Sequence, residues 1–265
     1  MKLEMQVIDA FTNERFKGNS AAVIITDDWL SDSQMQNIAS ENNLSETAYL
    51  VKNEANVYHI RWFSPLTEID FCGHATLASA FVLFSKYPEI SEFTFFASAV
   101  GEMTIVKNAL GRIEMDFPNR KPVPVATSDI PATLLEGLSH TPLEVLKNDQ
   151  AYFAIYDNEA TINAISTDSD KLKQLAPFDV TVSAPSTQFD CASRYFWPAN
   201  GGDEDPVTGS IHTGLAPYWA EKLNKQQIVA LQASKRSGIL YCEVTDSRVK
   251  ISGDAVQYLT GTITI

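Results

Sequence analysis

The sequence predicts an α+β protein of two similar lobes, each a curled mixed or antiparallel sheet wrapped around one central apolar helix. Three observations predict it. From Ala75 to Ser85 the chain is an apolar run without charge, built from Ala, Leu and Phe, which favour helix. A helix apolar on all sides belongs in an interior, and this one is too short to span a membrane. Strand-like segments follow one another with few helices between them, which favours an antiparallel or mixed sheet over a doubly wound parallel one. Finally, one local grammar occurs twice. Arg61-Trp62-Phe63-Ser64-Pro65 precedes Cys72-Gly73-His74 and the first apolar helix, while Arg194-Tyr195-Phe196-Trp197-Pro198 precedes Thr208-Gly209-Ser210 and a second, Ile211 to Leu223. Each leads to a Gly-containing hairpin, which suggests duplication. In this arrangement both helix N-termini point into a cleft between the lobes.

The elements follow in order. Met5 to Phe11 reads as a strand, Thr12 to Lys17 as a polar turn into Gly18-Asn19-Ser20, and Ala21 to Ile25 as a second strand. Ser31 or Asp32 caps an amphipathic helix with apolar Met35, Ile38 and Ala39, ending near Asn42-Asn43. Strands begin at Leu44 and at Val57, the latter alternating with period two to Phe63. Phe93 to Ala97 and a hairpin to Phe117 complete an N-terminal lobe, residues 1–117. Three prolines in Pro118 to Pro124 mark a linker. The C-terminal lobe, 118–265, reads as short helices at Ile130 to Leu138 and Asp168 to Leu175, and strands at Ala151 to Tyr156, Val180 to Ala184 and Tyr195 to Trp197. A final strand, Leu259 to Ile265, is free to return to the first lobe.

The 265 residues suffice for two cores. Twenty basic against 33 acidic side chains give a net charge of −13, which argues against nucleic acid and favours solubility. Three scattered cysteines, Cys72, Cys191 and Cys242, make neither a disulfide framework nor a zinc set. The first residues lack a signal-peptide core, so a cytoplasmic protein without a membrane segment is expected.

Glu46, among apolar residues where a strand begins, has two readings: a desolvated carboxyl suited to proton exchange, or a solvent-facing member of an alternating strand. His74 is a hydrogen-bonding group whose neutral form is favoured by a helix N-terminus, or a helix cap. Asp205 is a catalytic carboxyl or an acidic cap. Ser210 and Gly209, at the second helix entry, suit a carboxylate through hydroxyl and amide, and Ser210 also suits an N-cap. Asn19 reaches substrate from a turn or serves its own turn. His212 and Thr213 read as packed within the helix, and Cys72 as inert packing. Phosphate loops, a nucleophile elbow and a Schiff-base lysine are missing. What remains is equipment for moving a proton next to a carbonyl without a cofactor or metal.

These residues carry a resemblance. Asp9-Ala10-Phe11-Thr12, Phe16 to Val23, Leu44-Ser45-Glu46-Thr47-Ala48, Arg61 to Pro65, Cys72 to Thr76, Gly202 to Ser210 and Gln232 to Gly238 resemble, in order and over nearly the full length, the phenazine-biosynthesis PhzF-like isomerases, which share the diaminopimelate-epimerase-like fold. The resemblance implies that Glu46 is the general acid/base, that His74 and Asp205 bind polar groups of the substrate and assist, and that Ser210 with the Gly73 and Gly209 amides holds a carboxylate. It also implies a homodimer. In the phenazine enzyme the substrate is trans-2,3-dihydro-3-hydroxyanthranilate. Ser20 stands where the family usually has Pro, Ile211 where it has Ala, and Thr213 where Cys is common. The alternatives are an amino-acid racemase or epimerase, whose relatives use a thiol from each lobe, and a non-catalytic small-molecule binding protein.

Overall fold

The computed structural model describes all 265 residues. The chain divides into two compact units, Met1–Asp116 with Ser252–Ile265, and Phe117–Ile251.

In unit 1, β1 (Lys2–Ala10) pairs antiparallel with β2 (Asn19–Thr26), Ala10 opposite Asn19. The helix α1 (Asp32–Asn42) crosses over to β3 (Glu46–Glu54), which lies parallel to β2 with Ala21 opposite Glu46. Ser31 and Gln34 form a capping box at its start, and Asn43 closes it in the left-handed conformation. β4 (Val57–Phe63) pairs antiparallel with β3, and the two-residue β5 (Glu68–Ile69) folds back on it. α2 (Gly73–Lys86) then crosses over to β6 (Glu92–Ala97), parallel to β4, and β7 (Gly101–Lys107) and β8 (Ile113–Pro118) follow as hairpins. α2 packs against β1, β2 and β3 and is buried at nearly every residue from His74 to Phe84. Its two buried hydroxyls satisfy themselves one turn back, Thr76 Oγ1 donating to Cys72 O at 2.6 Å and Ser79 Oγ to Ala75 O at 2.7 Å. Polar side chains can therefore sit in an apolar surround without stranding a donor.

Unit 2 begins with β9 (Val123–Pro124) against β10 (Glu144–Lys147). Pairing thus starts inside the stretch expected as a linker, because Pro124 occupies an edge position that needs no amide donor. Between them α3 (Ala132–Glu136) follows a 3₁₀ turn, shorter than the helix expected from 130 to 138. β10 pairs antiparallel with β11 (Ala151–Ile155), and α4 (Glu159–Ala164) and α5 (Ser169–Leu172) lead to β12 (Asp179–Pro185), parallel to β11. β13 (Cys191–Phe196) runs antiparallel to β12, and the short β14 (Glu204–Asp205) folds back on it. α6 (His212–Leu223) crosses to β15 (Gln227–Gln232), parallel to β13, and β16 (Gly238–Val244) forms the next hairpin. β17 (Arg248–Gly253) leads out of the unit.

The last strand, β18 (Ala255–Thr264), pairs antiparallel with β1 along its whole length, from Lys2 opposite Thr264 to Ala10 opposite Ala255. The sequence of parallel and antiparallel pairings from β1 to β7 is repeated from β10 to β16. No helix is long and apolar enough to cross a membrane.

Candidate active site

Glu46 opens β3 and His74 sits in the first turn of α2, so the pairing of β3 with β2 and the packing of α2 on both bring the two side chains together. His74 Nε2 lies 2.8 Å from Glu46 Oε2, with side-chain exposures of 7% and 13%. The solvent-facing reading of Glu46 therefore fails. So does the capping reading of His74: the cap position is Cys72, which makes no side-chain capping bond. The contact is close, yet the ring N–H does not point along it, and Oε2 is left buried without an aligned hydrogen bond.

Asn19 is not on a turn as expected. It is the first residue of β2, fully buried. Its amide nitrogen lies 3.2 Å from His74 Nδ1, and Ser45 Oγ donates to its Oδ1 at 3.0 Å. With Nδ2 donating, Nδ1 accepts and the ring proton of a neutral His74 sits on Nε2, the nitrogen nearer to Glu46. Burial disfavours charge on the ring, but Cys72 and Glu46 beside it hold its pKa well above the usual histidine value. Burial pushes the Cys72 thiol up to about 11, so the thiol is uncharged at neutral pH and Glu46 is the partner that matters. This corrects the expectation that the helix N-terminus keeps His74 neutral: a carboxylate at 2.8 Å outweighs a partial charge at a helix end.

At the entry of α6 the side chains are arranged differently. Asp205, on β14, accepts from the Thr208 hydroxyl, and Gln232 clamps the loop by accepting from Thr208 N at 2.8 Å and donating to Asp205 O at 2.9 Å. Gly209 is buried. Ser210 is not the N-cap, a position held by Ile211 without a side-chain bond. Instead its Oγ accepts from Gln150 Nε2 at 2.9 Å.

The family model for PhzC-PhzF, phenazine biosynthesis-like protein, matches residues 8–261. The chain belongs to the PhzC-PhzF family. An uncharacterised isomerase of Pseudomonas aeruginosa is 46% identical over 99% of this chain and 99% of its own. The crystal structure of a PhzF-family phenazine biosynthesis protein from Enterococcus faecalis superposes with a TM-score of 0.94 at 39% identity, covering 100% of both chains. A hydroxyproline epimerase from Agrobacterium vitis shares the fold alone, with a TM-score of 0.58 at 9% identity over 99% of this chain and 92% of that one. The resemblance seen in the residues is thereby borne out at the level of family.

In this PhzC-PhzF chain unit 1 gathers Glu46, His74 and Asn19, with Gly73 at the first helical position of α2, and unit 2 holds Asp205, Gly209 and Ser210 around the start of α6. Sequence reasoning missed Ser45, Gln150 and Tyr195, whose roles come from bonds to Asn19, Ser210 and Asp179 far along the chain. Donor atoms of Glu46, Cys72 and His74 lie within 4.8 Å of one another, a set that suits a soft divalent cation by type. The direct 2.8 Å approach of imidazole to carboxylate is nevertheless closer than the roughly 3.3 Å that tetrahedral zinc bonds would hold between N and O. The group is a close imidazole–carboxyl contact beside a thiol.

Proposed function

We propose that this chain is a cofactor-independent isomerase that moves a proton on a small carboxylate, with Glu46 as general acid/base. The observation that carries the reading is the dry, unaligned carboxylate oxygen of Glu46, 2.8 Å from His74. A buried carboxylate oxygen that is close to an imidazole but not saturated by an aligned hydrogen bond keeps a lone pair for a ligand proton, and a substrate C–H or N–H is such a partner. In the reaction Glu46 takes a proton from a carbon next to a carbonyl, the electron pair passes into that carbonyl, and the same carboxyl returns the proton to another atom of the delocalised system. No electrons are gained or lost overall.

His74, braced by Asn19 and Ser45, holds a polar group of the substrate and orients Glu46. Asp205 assists by binding a polar group. In unit 2, Ser210 with the Gly209 amide holds a carboxylate, and in unit 1 the Gly73 amide offers the same kind of donor, because amides at a helix start suit an anion. The 46% identical relative carries the name isomerase, which supports the reaction class.

A two-thiol racemase is less well supported. Cys72 is a poor base with its thiol pushed up to about 11, and Thr208 stands in the second half where Cys72 stands in the first. Steady-state kinetics separates the readings. Glu46→Gln is expected to lose ~10²–10⁴-fold in kcat with substrate binding retained, and Cys72→Ser to keep activity. The opposite pattern refutes the carboxyl mechanism.

A further inference from the structure

Asp179 holds in unit 2 the place that Glu46 holds in unit 1. Glu46 opens β3 opposite Ala21 on a parallel neighbour, and Asp179 opens β12 opposite Ala151 on a parallel neighbour. The residue after each faces a phenylalanine on the next antiparallel strand, Thr47 on Phe63 and Val180 on Phe196. Asp179 is buried, and burial raises its pKa against the pull of its two hydrogen bonds. Unlike Glu46 Oε2, both its oxygens are partnered: Tyr195 Oη donates to Oδ2 at 2.5 Å and Asn200 Nδ2 to Oδ1 at 2.8 Å. The proton transfer proposed above makes no use of this carboxyl.

Its bonds lead to Ser210. Gln150 Nε2 donates to Tyr195 Oη at 3.0 Å and to Ser210 Oγ at 2.9 Å. Each link dictates the direction of the next. A carboxylate only accepts, so the phenol proton goes to Asp179. Burial, then the adjacent carboxylate, push the Tyr195 phenol far up, which keeps it a donor. Its oxygen is left to accept, which turns the NH₂ of Gln150, and not its carbonyl, toward both hydroxyls. Ser210 Oγ accepts from that NH₂, and its own proton is directed away, to a ligand.

We propose that Asp179, Tyr195 and Gln150 are positioning residues that fix Ser210 as a hydrogen-bond donor, so that the α6 entry selects an anionic acceptor, a carboxylate, over a carboxamide. The proposal rests on the reading that Ser210 holds a carboxylate. It differs from a plain electrostatic role in sign. Removing a buried negative charge strengthens anion binding by Coulomb's law alone. Under the relay, Asp179→Asn weakens it, because a neutral amide lets the chain of donors reverse and turn Ser210 into an acceptor.

The test is titration of the full chain with benzoate and with benzamide, reading affinity and the ¹⁵N shift of the Ser210 amide. The expected result is wild-type preference for benzoate, a fall of about tenfold in the benzoate-to-benzamide ratio in Asp179→Asn, loss of the ratio in Ser210→Ala, and no further change in the double variant. Tyr195→Phe removes the same link at nearly constant volume and is expected to lower the ratio even if Asp179→Asn does not fold. An unchanged ratio in both relay variants, or tighter benzoate in Asp179→Asn, overturns the relay and leaves the carboxylate assignment standing. Wild type that binds benzoate no better than benzamide, with no shift at Ser210, overturns both.

Discussion

His212, in the first turn of α6, is fully buried, with Nδ1 2.9 Å from Thr208 O and Nε2 without a partner. Thr208 O only accepts, so the neutral ring carries its proton on Nδ1. Burial outweighs the help of that carbonyl and lowers the pKa to about 4. His74 shows what a carboxylate changes, since it is equally enclosed yet shifted upward. For His212 the sign is set by the unfolded chain, which takes up a proton near pH 6.5 while the folded ring stays neutral until about pH 4. Stability is therefore lost as pH falls through this window, by about 3 kcal/mol at its lower end. Urea midpoints measured from pH 7 down to 4 are expected to fall less in His212→Asn, which keeps a donor toward Thr208 but does not titrate. Identical slopes would contradict the assignment.

Among the elements, the turn between β1 and β2 carries the most weight for the site, because Asn19 follows it directly. Gly18 there has φ of +67°, and a Cβ would stand 2.1 Å from Ala10 O. Backbone cannot yield as a flexible side chain does, so Gly18→Ala must open the turn and draw Asn19 away from His74. A loss of about 2–4 kcal/mol is expected, together with a changed pH dependence of the His74 ring in NMR. An unperturbed His74 would show that Asn19 does not hold it. The same turn shows where the sequence stops being legible. α2 could be read from Ala75 to Ser85 because one uninterrupted apolar run has one meaning. Gly18-Asn19 looks like turn chemistry, and only the tertiary bonds to His74 and Ser45 reveal a buried strand residue. β10 and α4, four and six residues long, are too short to show a period. The path from Asp179 to Ser210 joins side chains 16, 45 and 60 residues apart, for which no local pattern exists.

At the scale of the whole molecule, the duplication suggested by two arginine-aromatic motifs is visible in the bonds they make. Arg61 forks onto Glu68 at 2.6 Å through Nε and Nη2, and Arg194 onto Glu204 at 2.8 and 2.9 Å. Phe63 pairs with Glu68 as Phe196 pairs with Glu204. The same repeat sets Glu46 and Asp179 at matching positions, one with a carboxylate oxygen lacking an aligned bond and one with both oxygens partnered. The chain also closes on itself: β18 pairs with β1 along all nine β1 residues. Deleting residues 255–265 strips that edge at a cost of ~1 kcal/mol per hydrogen bond, several kcal/mol in all, which is large against ordinary total stability. Hydrogen exchange is expected to show loss of protection in β1 and β2, and full protection there would contradict the role given to β18. The central claim, that Glu46 moves the proton, is tested most directly by incubating wild type and Glu46→Gln in D₂O with a panel of small cyclic and acyclic carboxylates and following the ligands by NMR and mass. The account predicts deuterium entering a carbon of at least one ligand with wild type and none with Glu46→Gln, although that variant still binds it. Equal incorporation by both proteins would contradict it.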